Sequence, residues 1–537
     1  MANTQQHKLS CVEAAASVEL SHDTVGDRLI QLARCTPDDS ALMWLTDTGT
    51  GSMTWSQLYS RASGAASALV GMNPDRHRVA LVSFNSVDWI VAMFGCALAS
   101  MPVVPIGASV TDAEAEQLLS LARVGVVLAV GSVGDDPVLD RMRAVAERLA
   151  LRPAVCAIDE INTPTTQLAQ HDGVVRSADE FLLQFTSGTT GMPKAASLSH
   201  RAALNSARLY AQACGARAGE AWLNPLPLYH VGGSVSGLIV TLAYGGVYVV
   251  IERFSAQVLL RALRETRPAL VGLVPTMIID LLAMPSVSPS DFSSVRLVLG
   301  GGTAVDPGLI DNVEKQLGIT FGVAYGQSEA PMMAASSPDD SASVRTRTLG
   351  RCLPGRDYRV IDSTGRVVPR GALGELCVRG PLIMSGYVQP DGTVDPALDE
   401  QGWMRTGDLC TMTDDGVLTF RGRIREVIIR GGANVYPAEV EQTLQAHASV
   451  AEIAVFGVAD ERLGERVVAA VIPAADHRVE PDVLTSFAQR KLSPNKRPTD
   501  WILAKTLPRT STGKVRKHLL RQWYEEGTLQ ANCAANN

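Results

Sequence analysis

The stretch FTSGTTGMPKAASLSH, residues 185–200, combines hydroxyls, glycines and one lysine in a pattern suited to phosphate binding. Gly188 and Gly191 allow the backbone to close around an anion and to present its N–H groups, and Lys194 adds a mobile positive charge. The stretch is not a Walker loop, because two residues separate Gly191 from the lysine and an alanine follows the lysine. It predicts a polyphosphate site, with a flexible surface loop as the alternative. Further hydroxyl donors of the loop are Thr186, Ser187, Thr189 and Thr190.

Later segments carry the charged and glycine residues that would complete such a site. Taken alone, an acid such as Glu329 or Asp408 is more often a solvated or capping residue, and Lys514 a surface lysine. Their order and spacing along the chain carry more information than any one of them. In order, the segments are GGG (residues 300–302), YGQSE (325–329), GWMRTGDL (402–409), GRIREVIIRGGANVYPAEVE (422–441) and PRTSTGKVRK (508–517).

TSGTTGMPK, followed in order by these segments, resembles the adenylate-forming superfamily, which includes acyl-CoA synthetases, luciferases and the adenylation domains of peptide synthetases. The resemblance covers nearly the whole chain and implies that the protein binds ATP and Mg²⁺. It implies that Glu329 helps to hold the metal and that Asp408 accepts both ribose hydroxyls. It also implies that Lys514 bridges the acyl carboxylate and the α-phosphate, where a cation stabilises the charge that develops during attack.

The same resemblance assigns the remaining nucleotide contacts and the catalytic residues. Tyr325 is expected beside the adenine, and Arg423 beside the ribose or a phosphate. The implied catalytic residues are Thr186, Glu329 and Lys514. The implied ATP-binding residues are Thr186, Ser187, Gly188, Thr189, Thr190, Gly191, Lys194, Gly301, Gly302, Thr303, Tyr325, Gly326, Gln327, Ser328, Asp408, Arg423 and Lys514.

Two features of the C-terminal region imply a change of conformation between half-reactions. Arg425 stands at the family's hinge position, which more often holds Asp or Lys. Gly431 and Gly432 match the glycine loop that, in acyl-CoA synthetases, swings in for thioester formation, and without side chains they let a pantetheine arm pass close to the backbone. The resemblance therefore implies coenzyme A as the second substrate, with these glycines at its tunnel.

The segment NPLPLYHVGGSV, residues 224–235, occupies the place of the acyl pocket, where His230 resembles the pocket histidine of many acyl- and aryl-CoA synthetases. A hydrogen-bonded core histidine is the alternative. This segment contains no aspartate of the kind that pairs the ammonium group in amino-acid-activating relatives. We expect an apolar, roomy pocket for a medium-chain, alicyclic or aromatic acid. The expected acyl-pocket residues are His230, Val231, Gly232, Gly302 and Ala330.

Three functions fit these motifs at the level of the sequence. The first is an AMP-forming acid–thiol ligase that uses CoA, and RGGAN favours it. The second is a stand-alone adenylating enzyme that loads an acyl carrier protein, and the third is a nucleotide-binding module without activity. Lys514, which catalysis needs more than binding does, disfavours the third. The sequence also leaves open whether the protein forms a homodimer.

Short β-rich runs alternate with helical patterns through most of the chain, which predicts an α/β fold with largely parallel sheets and helices on both faces. From about Gly350, shorter strands and denser turns predict a small antiparallel, β-barrel-like region. Beyond Glu426, the order helix, strand, strand, helix predicts an α+β unit. We expect a large N-terminal adenylation domain, residues 1–424, with the ATP and acyl pockets, and a small mobile C-terminal domain, residues 425–537, carrying the catalytic lysine.

Composition limits the other function classes. A net charge of −7 over 537 residues, without a long basic run, disfavours nucleic-acid binding. The nine cysteines form no C-x-x-C pair and, with a polar N-terminus, are typical of a cytoplasmic protein with reduced thiols. The uncharged segment 231–251 predicts a short buried helix, a turn and a strand in preference to a membrane span. The chain contains neither G-x-S-x-G nor G-x-G-x-x-G, which disfavours a hydrolase and a dinucleotide enzyme.

Overall fold

The computed structural model describes residues 8–14, 18–161, 175–186, 193–301, 307–474, 479–509, 514–529 and 533. In this part of the chain, three β-sheets covered by helices make up the fold. The predicted α/β class, with large N-terminal sheets and a small C-terminal α+β unit, is confirmed.

The largest sheet joins parallel strands to antiparallel ones. Its members between residues 221 and 325 run parallel, and those from residue 334 onward pair antiparallel, as predicted for the region after Gly350. In spatial order its strands are Cys11–Val12, Asp357–Ile361, Gly374–Arg379, Met404–Met412, Val417–Arg423, Gly350–Cys352, Ala334–Ala335, Phe321–Tyr325, Leu297–Gly301, Leu270–Leu273, Ala221–Leu223, Val247–Val250, Ser40–Thr46 and Gly49–Thr54.

The second sheet holds the ends of the phosphate loop. Strand Glu180–Thr186 pairs antiparallel with Lys194–Ser199, and the register sets Thr186 opposite Lys194. The strand ends on either side of residues 187–192 therefore lie next to each other. In spatial order the strands are Val394–Asp395, Gly386–Val388, Lys194–Ser199, Glu180–Thr186, Val103–Ile106, Arg78–Val82, Val124–Ala129 and Ala154–Ala157.

Helices cover both large sheets, and their ends follow local sequence signals. Thr54 begins one of them with a capping box, in which its hydroxyl accepts from the Gln57 N–H while the Gln57 side chain accepts from the Thr54 N–H. The N-terminal helices are Val25–Cys35, Trp55–Met72, Val87–Leu98, Asp112–Ala122, Val138–Arg148, His200–Ala213, Val240–Tyr244, Ala256–Thr266, Pro275–Leu282, Pro307–Leu317 and Ala342–Arg347, with a 3₁₀ turn at Pro289–Phe292.

Segment 231–251 contains a π-helical turn, Ser234–Ile239, then helix Val240–Tyr244 and strand Val247–Val250. The predicted helix, turn and strand are present, whereas the π-helical turn has no signal in the sequence pattern. Among the described residues, no helix is both long enough and apolar enough to cross a bilayer.

The C-terminal sheet is a separate five-stranded layer between helices. Its strands are Ala433–Val435, Ile428–Arg430, Gly464–Pro473, Val450–Asp460 and Asp500–Leu503. Alternate residues of one strand face opposite sides, so that Val467 packs toward helices Pro437–Gln445 and Pro481–Lys491 while Val468 packs toward helix Lys517–Glu525. A 3₁₀ turn, Ile424–Glu426, precedes this sheet, and a second one lies at Pro494–Lys496. The domain boundary expected between residues 424 and 425 falls in the first turn and stays a prediction.

Candidate active site

A cleft of about 2160 Å³ lies where the large sheets meet the C-terminal region. Thr186 reaches it from the second sheet, Tyr325 and Asp408 from the largest sheet, and Lys514 from the segment before the last helix. His230 also lines it. Tyr325 ends a parallel strand, whereas Asp408 lies on an antiparallel strand and Lys514 on no strand, so the packing of separate elements brings residues far apart in sequence to this cleft.

Asp408 is held in the cleft by two hydrogen bonds and an ion pair. Its Oδ2 accepts hydrogen bonds from the Tyr325 hydroxyl (2.6 Å) and the Gln327 side-chain amide (2.7 Å). Strand register places it opposite Arg423, whose Nε lies 3.1 Å from Oδ1. The carboxylate is 1% exposed, and no hydrogen bond with acceptable geometry reaches Oδ1 from the described residues. Asp408 is therefore an ordered anion with acceptor capacity remaining on one oxygen.

Tyr325 and Gln327 have a contact that their sequence motif does not reveal. We expected Tyr325 beside an adenine, and in the structure its hydroxyl binds the acid expected to hold the ribose. Burial raises the pKa of Tyr325, with Asp408 adding to the effect, so the phenol stays a neutral donor. Gln327 also donates to the Thr406 carbonyl at 2.9 Å, which ties the YGQSE loop to the strand of Asp408.

Glu329 is fixed at both its main chain and its side chain. Its carbonyl accepts from the Met384 N–H (2.7 Å), and its Oε1 accepts from the Tyr387 hydroxyl (2.8 Å). Gln327 and the buried Ala330 exchange two backbone hydrogen bonds that close this turn. A β-carbon on Gly326 would come within 2.4 Å of the Met332 nitrogen, which explains the glycine. Ser328 completes the turn.

The acids near the cleft suit Mg²⁺ only as a metal shared with phosphates. No group of three or more His, Cys, Asp or Glu side chains able to hold a metal occurs in the described part of the chain. Mg²⁺ usually binds through one or two carboxylates together with substrate phosphate oxygens and water, so a single glutamate beside a phosphate loop fits it. Glu329 is the residue that would hold the ion.

Lys514 lies half-buried in the cleft, within the electrostatic influence of four charged residues. Burial lowers its pKa most, and Arg423 and Arg425 lower it further. Asp408 and Glu329 oppose this effect. A partly desolvated cation thus lies within electrostatic reach of the acids predicted to bind the nucleotide and the metal, although Lys514 follows Asp408 by 106 positions in sequence.

His230 is a neutral imidazole at physiological pH. Burial, followed by the charge of Lys514, lowers the pKa of His230 to about 4. Its Nδ1 accepts from the Gly232 N–H at 3.0 Å, so that the ring proton resides on Nε2. A β-carbon on Gly232 would lie 3.2 Å from this ring, and Val231 is buried beside it. The side chain therefore offers the cleft a donor and no charge.

The expected CoA loop lies away from this cleft. Gly431 and Gly432 have φ angles of +58° and +80° and form the two-residue turn of hairpin Ile428–Arg430/Ala433–Val435, a geometry that favours glycine. Both glycines are exposed, and neither lines the cleft. Arg425, in the 3₁₀ turn, does line it. The structure thus brings Lys514 to the site and leaves the glycine turn outside.

Of the predicted glycines at the end of the strand Leu297–Gly301, only Gly301 lies within the described residues. It ends its strand beside Ala324, whose carbonyl oxygen would lie 2.6 Å from an added β-carbon. The following positions lie outside the described residues: Ser187, Gly188, Thr189, Thr190, Gly191, Gly302 and Thr303.

Sequence reasoning missed Tyr387, which contacts two predicted site residues. Besides its bond to Glu329, its ring carries the Lys194 ammonium 4.7 Å from the ring centroid. Tyr387 stands in a short segment without other polar site residues, and only the pairing of strand Gly386–Val388 with Lys194–Ser199 brings it there. No local signal could have found it.

The fold and the cleft define a nucleotide-binding α/β enzyme with a C-terminal unit that supplies a lysine. The model of the AMP-binding enzyme family matches residues 30–388, and that of the AMP-binding enzyme C-terminal domain matches residues 439–514. The chain belongs to the AMP-binding enzyme family, and its resemblance to adenylate-forming enzymes is confirmed.

Characterised proteins similar to this chain include two CoA ligases. Indoleacetate–CoA ligase of Aromatoleum aromaticum is 32% identical over 490 residues, which cover 88% of this chain and 93% of that protein. The mitochondrial medium-chain acyl-CoA ligase of Danio rerio is 29% identical and covers 96% of this chain and 91% of that protein.

Solved structures show the same fold. ATP-bound MatB from Rhodopseudomonas palustris superposes with a TM-score of 0.85 at 25% identity, covering 94% of this chain and 100% of that one. The apo form of the same protein gives a TM-score of 0.75 over 95% of this chain. This chain therefore superposes better on the ATP-bound form.

Proposed function

We propose that this protein is an AMP-forming carboxylate–CoA ligase that acts on an apolar monocarboxylic acid of medium-chain, alicyclic or aromatic type. The observation that carries the proposal is the meeting of Lys514, Asp408 and His230 around one cleft, with Glu329 within electrostatic reach of the lysine. The names of the two CoA ligases among its relatives support the reaction class.

In the first half-reaction, an oxygen of the acid bonds to the α-phosphorus of ATP, and the bond from that phosphorus to the bridging β-oxygen breaks, so that pyrophosphate leaves. Lys514 stabilises the charge that develops as two anions converge, and Asp408 orients the ribose with its remaining acceptor oxygen. Lys194 and Thr186, paired across the loop's hairpin, hold the phosphates. Mg²⁺, held by Glu329, would neutralise charge on the departing pyrophosphate.

In the second half-reaction, the CoA sulfur bonds to the acyl carbon, and the bond to AMP breaks. The glycine turn at residues 431–432 is then required beside the acyl carbon, although it lies outside the cleft here. The better superposition on ATP-bound MatB supports an assignment of this arrangement to the adenylation step. A rotation at Arg425 would bring the turn in.

The lining residues near the acyl segment support an apolar acid. The helices Pro275–Leu282 and Pro307–Leu317 contribute Ile279, Leu309 and Asn312 to the cleft, and none of these carries a charge. His230 is neutral as well. A second carboxylate or an ammonium held among these uncharged side chains would lose its hydration without an ionic partner beside it, which costs more than burying a neutral polar group.

Carboxylate-dependent exchange of labelled pyrophosphate into ATP tests the first half-reaction. The panel should contain medium-chain, alicyclic and arylacetic acids, with a dicarboxylic acid and an α-amino acid as negative controls. We expect exchange with members of the first three classes only. A folded protein without exchange for any acid contradicts the proposal.

Loss of free CoA thiol, followed with DTNB, tests the acceptor. We expect stoichiometric consumption of CoA with an acid that supports exchange. Exchange without CoA consumption, together with loading of an acyl carrier protein, would select the alternative acceptor. A homodimer and a cytoplasmic location stay predictions.

A further inference from the structure

Tyr387 contacts two residues that the proposed function places in the ATP site. Its strand, Gly386–Val388, pairs antiparallel with Lys194–Ser199, and Tyr387 stands opposite Ala196. From this position its hydroxyl donates to Glu329 Oε1 at 2.8 Å, while the Lys194 ammonium lies over its ring at 4.7 Å. Metal-binding and phosphate-binding groups therefore meet on one side chain.

Each contact restrains a side chain for which the described residues provide no other hydrogen bond or ring contact. A hydrogen bond from a neutral phenol to a carboxylate is a charge-assisted bond, and it fixes one of the two oxygens of Glu329. A lysine over an aromatic face is held by the ring quadrupole without losing its charge. The rest of the Glu329 turn is already rigid, because its carbonyl is bound by the Met384 N–H. The tyrosine thus decides where the carboxylate points.

Tyr387 also gives Lys194 and Glu329 a shared partner that carries no charge. The lysine rests on the ring face and the acid accepts from the hydroxyl, and the two form no direct ion pair in the described part of the chain. Both groups stay available for phosphate and metal.

We propose that Tyr387 is a positioning residue that prepares Glu329 and Lys194 for Mg²⁺–ATP, and this inference rests on the proposed function. The hydroxyl acts on the metal-binding acid, and the ring acts on the phosphate-binding lysine. Two substitutions separate these roles. Tyr387→Phe removes only the hydroxyl, and Tyr387→Leu removes the ring as well.

Calorimetric titration of ATP at several Mg²⁺ concentrations reads both roles without requiring turnover. For Tyr387→Phe we expect the Mg²⁺ concentration that half-saturates ATP binding to rise about five- to tenfold, with metal-free ATP affinity unchanged, because one charge-assisted bond is lost. For Tyr387→Leu we expect the same Mg²⁺ effect and, in addition, a twofold to fivefold fall in metal-free ATP affinity, since the cation–π contact is also lost. In a Glu329→Gln background, Tyr387→Phe should add no further Mg²⁺ effect.

A matched control is Tyr244→Phe, which removes a partly buried tyrosine hydroxyl that donates to the Glu220 carbonyl at 3.1 Å, outside the cleft lining. It should leave the Mg²⁺ dependence at the parental value. Parental Mg²⁺ dependence in Tyr387→Phe overturns the inference. An equal loss of metal-free and Mg²⁺-dependent binding also overturns it, because that result indicates a merely structural tyrosine. Absence of pyrophosphate exchange in the parent contradicts the proposed function instead, and the binding titration distinguishes the two.

Discussion

At the scale of single residues, the site depends on charges that are partly removed from water. Lys514 is a half-buried cation whose pKa is lowered by burial and by two arginines, and His230 is a half-buried imidazole whose pKa is lowered to about 4. Such perturbed groups cluster at functional sites because burial and charged neighbours are arranged there for chemistry. Both predictions at this scale concern Lys514.

Lys514→Ala should impair adenylation far more than thioester formation from a supplied acyl-adenylate. The lysine stabilises charge only while carboxylate and α-phosphate converge, so we expect a cost of about 3–4 kcal/mol in the first half-reaction, the scale of one lost oxyanion donor. Pyrophosphate exchange measures the first half-reaction, and acyl-CoA formation from the adenylate measures the second. Equal losses in both would remove Lys514 from this role.

The pH dependence of pyrophosphate exchange should report the lowered pKa of Lys514. The lysine must be protonated to act, so exchange falls as pH rises through that pKa, and the basic limb of kcat/KM should lie below the ordinary lysine value of 10.5. Lys514→Arg keeps the charge with a pKa above 12, and its residual exchange should lose this limb over the same pH range. An unchanged basic limb in Lys514→Arg would assign the limb to another group.

At the scale of elements, a buried arginine holds the turn that presents Glu329. Arg356 is fully buried and donates five hydrogen bonds, two to the Leu382 carbonyl, one each to the carbonyls of Pro331 and Met332, and one to the Ser206 hydroxyl. Met332 has a φ of +47°, a left-handed conformation that costs free energy for a methionine. Arg356 therefore clamps the strained end of the Glu329 turn to the segment before Tyr387.

Arg356→Met should destabilise the protein by about 3 kcal/mol, since methionine fills much of the space but leaves buried carbonyls without donors. Ser206→Ala removes one of the five bonds and should cost about 1 kcal/mol. Denaturant unfolding of both variants measures the difference. Parental stability in Arg356→Met would show that the carbonyls find other partners.

At the scale of the whole molecule, the proposed reaction requires two parts of one C-terminal unit at the same site at different times. Lys514 lies in the cleft, whereas the Gly431–Gly432 turn is exposed outside it. The 3₁₀ turn Ile424–Glu426 joins the large sheets to this unit, and rotation there changes only a few backbone dihedral angles.

Arg425→Pro should block the rotation that replaces Lys514 by the glycine turn. The proline ring fixes φ at residue 425 and restricts Ile424 before it, while the lysine is already in place for adenylation. We expect pyrophosphate exchange close to the parental rate and acyl-CoA formation reduced at least tenfold, a barrier increase of about 1.4 kcal/mol or more.

Arg425→Gln is the matched control for this hinge prediction, because it removes the same charge from beside Lys514 but leaves φ free. It should form acyl-CoA at nearly the parental rate. If Arg425→Pro also does so, residue 425 is not the hinge.

The sequence alone determined the class of fold, the order of the motifs and the family. Periodicities of two and of three to four residues identify strands and helices locally, and TSGTTGMPK followed by YGQSE and PRTSTGKVRK has the order that marks the family. It also located the buried helix, turn and strand of segment 231–251, because glycine pairs interrupt the apolar run. These are short-range properties, readable from neighbouring residues.

Only the tertiary structure decided which groups touch. Strand register places Asp408 opposite Arg423, and it places Tyr387 opposite Ala196 on strand Lys194–Ser199. Neither pairing can be predicted from the neighbouring sequence. The folded chain likewise gives Tyr325 a hydrogen bond to Asp408 that its motif does not reveal, and it buries Arg356 among carbonyls. The place of Tyr325 beside the adenine stays a prediction. Contacts between distant segments depend on how sheets and helices pack together, and burial sets the pKa values of Lys514 and His230. The sequence therefore determines which residue types the site contains, and the fold determines their contacts and their pKa values.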